Sequence, residues 1–167
     1  MGADPVETTR AVERTRAHTD KPLIVKLTPN ASEPQAVAAA AQAAGADAVS
    51  LINTLKGIAL HPRTREPWLG GGSGGVSGPA VRAVALEQVY TVARAVEIPV
   101  IGMGGIQSGR HAADFLAAGA AVVAIGTENF RDPAAGARVA DELAVISASE
   151  RGLSEPSEAP AGSRTRT

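Results

Sequence analysis

Two glycine-bearing turns carry the strongest chemical signal in this sequence. In the stretch Pro99 to Gly109, PVIGMGGIQSG, a short apolar run leads into Gly102, Gly104 and Gly105, and Ser108 stands ahead of a periodic helix, Arg110 to Ala118. Glycines at the carboxyl end of a buried strand let backbone N–H groups approach a ligand closely, and the next helix presents its positive end at the same place. That arrangement suits an anion such as phosphate. A second apolar run, Ala121 to Ile125, ends in Gly126-Thr127, which offers another backbone amide and a hydroxyl.

Other residues could complete such a site. Lys26 sits inside the apolar run LIVKL, which is costly unless its ammonium reaches a partner or a solvent-filled mouth. It is either a positive charge held beneath an anionic ligand or a lysine that snorkels at a strand end. Asn53 and Thr54 follow another apolar run and could read the carbonyl and N–H groups of a planar polar ligand, although asparagine is equally a turn former. Ser77-Gly78-Pro79 again sets a glycine before a helix, either as a third anion-facing amide or as a plain helix start. His18, His61 and His111 share no ligand-like spacing, so no metal site is expected, and Trp68 with Arg63 to Glu66 lies in a long loop, either as a lid or as a plainly exposed segment, of which exposure is the expectation.

The elements that position these residues alternate. A helix over Asp4 to Ala17 is followed by a strand, Leu23 to Leu27, and by a helix from Pro34 to Ala44 closed by Gly45. Ala48 to Ile52 is the next strand, and Leu55 to Pro79 is a long loop rich in Gly, Pro and basic residues. A helix over Pro79 to Val96, the glycine turn, the Gly126-Thr127 strand and a last helix from Asp132 to about Ser149 complete the order. One helix followed by four βα units specifies a parallel sheet with helices outside. A doubly wound sheet fits the pattern, but paired phosphate turns after the last two strands point to the carboxyl-terminal half of a (β/α)8 barrel, an α/β fold in which those loops commonly hold a phosphate. Four strands cannot close such a barrel, and the chain opens on what corresponds to its fourth helix, so a truncated chain or fragment is expected. Residues 1–150 read as the half-barrel and 151–167, small, polar and proline-bearing, as a disordered tail.

Composition narrows the function. Aromatic residues make up only 2% of the 167 positions, so Ala, Val, Leu and Ile must pack the core, as buried parallel strands under alanine-rich helices allow. A net charge of −1 gives no general attraction to nucleic acid or to an anionic membrane, which favours a small-molecule partner. The chain has no cysteine, which excludes disulfides, thiolate metal sites and a cysteine nucleophile within it. The charged amino terminus does not read as a signal peptide, no apolar run has the length of a membrane span, and a cytoplasmic protein is expected.

PLIVKLTPN, SLINTLKGIA, GGVSGPAVR, PVIGMGGIQSG and AIGTENF, in this order and spacing, resemble the carboxyl-terminal half of class 1B dihydroorotate dehydrogenase, the FMN-bearing catalytic subunit, from about Asp4 to Ala148. GMGGI alone is shared by many FMN barrels; the five strings together, with LINT followed by GGVSGP, are more specific. The resemblance implies that Lys26 lies near the N1/O2 edge of the flavin and stabilises the negative charge that grows there on reduction. It implies that Ile52 touches the isoalloxazine through its backbone, that Asn53 and Thr54 hydrogen-bond orotate or dihydroorotate, and that Gly78, Gly104, Gly105, Gly126 and Thr127 bind FMN, the last four mainly at its phosphate. The implied reaction belongs to pyrimidine (UMP) biosynthesis. The C5 proton of (S)-dihydroorotate passes to a base and the C6 hydride to flavin N5, giving orotate, and electrons reach NAD through a partner subunit that carries FAD and an iron–sulfur cluster. A homodimer is implied as well.

The departures are as specific. The resemblance places the catalytic base on a cysteine, and the remaining cofactor contacts on a lysine and asparagines, all in the first half of the barrel; this chain has no cysteine. A positioned base contributes roughly 10² to 10⁴ in rate, so the chain alone is expected to be inactive. KLTPN and GGVSG also resemble the pyrimidine-reducing domain of dihydropyrimidine dehydrogenase, against which SLINT and the lack of iron–sulfur cysteines argue. A third possibility is a non-catalytic half-barrel that binds FMN or phosphate and pairs with another half-barrel or with itself through its open strand edges, Leu23 to Leu27 and Ala121 to Ile125.

Overall fold

A computed structural model describes residues 2–154. Helix α1, Pro5–Arg16, starts where the sequence places it: the Asp4 carboxylate accepts the Glu7 N–H at 2.8 Å, Pro5 occupies the first turn, and Arg14 and Arg16 face the negative end of the helix. Strand β1 (Ile24–Lys26), helix α2 (Pro34–Ala43) and strand β2 (Ala48–Leu51) follow. Arg16 fastens this unit, since its guanidinium donates to the Gly45 carbonyl and to Asp47, whose carboxylate also accepts the Leu23 N–H at 2.6 Å.

The segment expected as a long loop contains an antiparallel hairpin, β3 (Leu55–Gly57) with β4 (Gly74–Val76). Its glycines are packed rather than slack, because a Cβ on Gly57 would stand 2.5 Å from Val76 Cγ2 and one on Gly75 would strike the Thr54 side chain. Beyond the hairpin, Trp68 is exposed and stacks on His61 with ring centroids 5.3 Å apart. The helix expected from Pro79 begins as a single 3₁₀ turn, Pro79–Val81, before α3, Arg82–Ala93. Strand β5 (Val100–Met103), helix α4 (Gly109–Ala117), strand β6 (Val122–Ala124), a 3₁₀ turn at Thr127–Phe130 and helix α5 (Ala135–Ser154) complete the chain. The last helix runs on into the stretch expected as tail; residues 155–167 lie outside the described residues.

The main sheet has the order β1-β2-β5-β6 with every pair parallel, in the register Lys26↔Ser50, Ser50↔Ile101 and Ile101↔Val122. One face is covered by the helices. Val49, Leu51 and Val100 pack there with Val37, Ala41, Ala85, Val89, Ala112 and Phe115, all nearly inaccessible. The other face is open at its flanks, where Ile24 and Val122 remain 50% and 56% exposed. A parallel sheet covered on a single side is half of the closed arrangement such sheets ordinarily adopt, in agreement with the half-barrel expected from the element order. β1 and β6 form its edges.

Candidate anion-binding cleft

Each strand of the sheet delivers its carboxyl end to one cleft of about 200 Å³, and the nine residues singled out from the sequence, Lys26, Ile52, Asn53, Thr54, Gly78, Gly104, Gly105, Gly126 and Thr127, all line it. Lys26 is the last residue of β1, exposed to the cleft, and forms no ion pair among the described residues. The end of β2 is pinned on both sides: Ile52 N–H donates to the Met103 carbonyl at 2.9 Å and Asn53 N–H to the Leu27 carbonyl at 3.1 Å. Asn53 Oδ1 accepts the Thr54 N–H at 2.8 Å, which fixes the side-chain amide and leaves its NH₂ for a ligand.

At the opposite side of the sheet, Gly104 and Gly105 have φ of 131° and 71°. A Cβ on Gly105 would lie 2.8 Å from the Gly78 carbonyl oxygen and 2.8 Å from Arg82 Cβ, so the turn after β5 rests on the turn before α3, and only glycine fits. Gly126 is the converse, since a Cβ there would meet nothing within 4 Å. The N–H groups of Gly105, Gly126 and Thr127 donate to no protein acceptor among the described residues. All three residues line the cleft and make it a candidate anion grip. The first turn of α4, expected to present its positive end there, is instead taken up by protein, since Glu142 accepts the Gly109 N–H at 2.6 Å. Ser108 caps α4 by accepting the His111 N–H at 3.3 Å.

His111 stands behind this grip and accepts the Gln107 N–H through Nδ1 at 3.3 Å, which assigns its own proton to Nε2. Burial, and then the nearby Arg82 charge, hold its pKa below the ordinary histidine value, so the ring stays neutral. Several supporting residues lie within the strings PLIVKLTPN, PVIGMGGIQSG and AIGTENF, but their sequence alone assigns them no task. Asn30, within a loop in the sequence, joins three segments: Nδ2 donates to Thr28 Oγ1 at 2.8 Å and to the Thr54 carbonyl at 3.2 Å, and Oδ1 accepts the Lys56 N–H at 2.9 Å. Gln107 and Glu128 also line the cleft and are bonded to each other. Their spacing follows no motif. Only the packing of neighbouring strands brings them together. The cleft thus offers a lone cation and an amide–hydroxyl pair at one end and an anion grip at the other, the donor pattern of an elongated polar ligand ending in phosphate.

Comparison with known proteins identifies the family. A family model described as dihydroorotate dehydrogenase matches residues 2–146. The dihydroorotate dehydrogenase B (NAD(+)) catalytic subunit of Geobacter metallireducens is 51% identical over 143 residues, 86% of this chain and 47% of that protein. The protein of that name from Trichlorobacter lovleyi is 47% identical over 155 residues, 93% of this chain and 51% of its own length. A Solibacter usitatus protein with a provisional dihydroorotate dehydrogenase A (fumarate) name is 51% identical over 140 residues, 84% of this chain and 46% of that protein. The chain therefore spans about half the length of the curated relatives it matches. Among solved structures, that of the Eimeria tenella enzyme DHODH in complex with ferulenol superposes with a TM-score of 0.64 at 28% identity, over 80% of this chain and 36% of that one.

Proposed function

The chain belongs to the dihydroorotate dehydrogenase family, and from that premise we propose that it supplies the FMN-phosphate and substrate-recognition side of a flavin-dependent enzyme that oxidises (S)-dihydroorotate to orotate in pyrimidine biosynthesis. The observation that carries this function is the convergence of all nine residues on one cleft, with unpaired amides at one end and Lys26, Asn53 and Thr54 at the other.

The residues fit FMN. Gly105, Gly126 and Thr127 hold the phosphate through N–H groups that have no other acceptor, and the empty space beside Gly126 is where a side chain would displace it. Gly78 and Ile52 present their backbone to the ligand, and Gly104, where a Cβ would lie 2.7 Å from Ala85 Cβ, lets the turn after β5 sit close on α3 so that its backbone lines the cleft. When bound, FMN would supply the hydride acceptor for the substrate. Lys26 then places its positive charge where negative charge accumulates, and Asn53 and Thr54 orient the substrate by hydrogen bonds. The resemblance assigns the proton acceptor to a cysteine and this chain has none, so its own contribution is binding, orientation and charge stabilisation. The half-barrel domain is residues 1–150. The words NAD(+) and catalytic subunit in the relatives' names support NAD as acceptor and a further subunit; electron transfer through that subunit and a homodimeric assembly belong to the same proposal.

The purified chain is incubated with FMN and desalted, and its flavin absorbance is recorded. Retention near one flavin per chain or per dimer supports the cleft as a cofactor site; a protein that emerges colourless overturns that assignment for this chain.

A further inference from the structure

The two arms of the anion grip arrive from neighbouring strands, yet beyond the Met103↔Ala124 pair no backbone hydrogen bond joins them among the described residues. Side chains make the join. Gln107, after β5, donates through Nε2 to Glu128 Oε2, after β6, at 2.8 Å. A carboxylate beside an anion site repels its ligand unless its charge is taken up. Here it is taken up: the Glu128 side chain is only 10% exposed, and Arg131 and Arg138 lie 3.4 and 3.9 Å from its oxygens.

Arg138, on α5, reaches further. It donates to the Gln107 carbonyl at 3.1 Å, to Asp132 at 2.9 Å and to Glu142 at 2.9 Å, and Glu142 in turn accepts the Gly109 N–H at the start of α4 at 2.6 Å. One guanidinium therefore braces the turn after β5, the segment after β6 and the first turn of α4. Its planar fork suits this task better than a lysine, which has no fixed donor geometry.

We propose that Gln107, Glu128 and Arg138 are positioning residues that set the separation of the Gly104–Gly105 and Gly126–Thr127 arms, and so the affinity of the cleft for the phosphate end of its ligand. This rests on the cleft being the FMN site. The bond between Gln107 and Glu128 acts on the phosphate alone; the ring end of the cleft, held by Lys26, Asn53 and Asn30, does not depend on it.

The test compares the dissociation constants of FMN and riboflavin, which differ by the phosphate, on the full chain by flavin fluorescence. A charge-assisted hydrogen bond is worth about tenfold in an equilibrium constant or more, so Gln107→Glu, which opposes two carboxylates, is expected to lower the FMN-over-riboflavin preference at least about fivefold. The double variant Q107E/E128Q, which restores a donor–acceptor pair in the reverse sense, is expected to regain the preference to within about twofold, with E128Q alone measuring the effect of the removed charge. Gln107→Met, which loses the donor without adding charge, and Arg138→Met are expected to lower the preference with riboflavin affinity retained, and Arg138→Lys to recover it in part. A wild-type chain that binds both flavins equally, or neither, sinks the cofactor assignment and this proposal with it. A wild-type preference that survives in Q107E and Q107M, a joint loss of both flavins, or a double variant that is not rescued overturns the positioning role alone.

Discussion

Gly105 and Gly126 stand in one cleft and answer an added methyl group in opposite ways. At Gly105 the new Cβ meets a backbone oxygen at 2.8 Å with φ at 71°, so Gly105→Ala is expected to destabilise the chain by about 2 kcal/mol or more, seen as a lower urea midpoint. At Gly126 the Cβ meets no protein atom, so Gly126→Ala should leave the midpoint nearly unchanged while weakening FMN binding at least about tenfold, one lost ligand hydrogen bond in scale. If both substitutions lower stability alike, the space beside Gly126 is not a ligand's place. Lys26 permits a different separation. In a reconstituted full-length enzyme, Lys26→Ala is expected to slow flavin reduction roughly 10²-fold while weakening FMN binding less, because its charge matters most once negative charge develops. Equal losses in rate and affinity would count against that role. These residues were legible from the sequence because glycine and an ion in an apolar run break the local pattern visibly. Asn30, Gln107 and Glu128 lie within the strings PLIVKLTPN, PVIGMGGIQSG and AIGTENF, but their tasks, like that of Arg138, were not legible, since residues distant in the chain assign them.

The βα units were legible as elements because apolar runs of strand length alternate with helical periodicity, and the caps at Asp4 and Ser108 mark helix starts by chemistry that survives folding. The hairpin β3–β4 was not. Its strands are three residues each and carry Gly57, Gly74 and Gly75, residues that read as loop, yet here glycine is chosen because Val76, Leu69 and Thr54 occupy the space a side chain needs. The same element supplies a prediction. Asn30 joins Thr28, Thr54 and Lys56, so Asn30→Ala should loosen the base of the hairpin together with the loop after β1. Amide hydrogen exchange is expected to accelerate at Lys56 with the core amides of Val49 and Val89 unaffected; unchanged exchange at Lys56 would place the support elsewhere.

The molecule as a whole should be acid-sensitive in two stages. Burial, with Arg82 beside it, lowers the His111 pKa, so below the ordinary value of 6.5 the unfolded chain takes up a proton that the folded chain refuses, and stability begins to fall there. Three carboxylates follow at lower pH: the Leu23 N–H and Arg16 hold Asp47 down, Arg138 and the Ala134 N–H hold Asp132 down, and the Gly109 N–H and Arg138 hold Glu142 down. Their contribution is present above their ordinary values of 3.8 to 4.5 and is lost as the pH falls through the lowered ones. Thermal midpoints measured from pH 7.5 to pH 3.5 are expected to fall throughout, and His111→Asn, which keeps an acceptor for Gln107, to remove the first stage only; a midpoint that rises on acidification to pH 5.5 contradicts the assignment. The chain has a single tryptophan. Trp68 lies at the far end of the hairpin, against His61, while Thr54 and Val76 at its near end form part of the cleft wall. A shift of the near end is expected to carry to the far one, so Trp68 emission is expected to change when FMN is added, and an unchanged spectrum would mean that the two ends move independently.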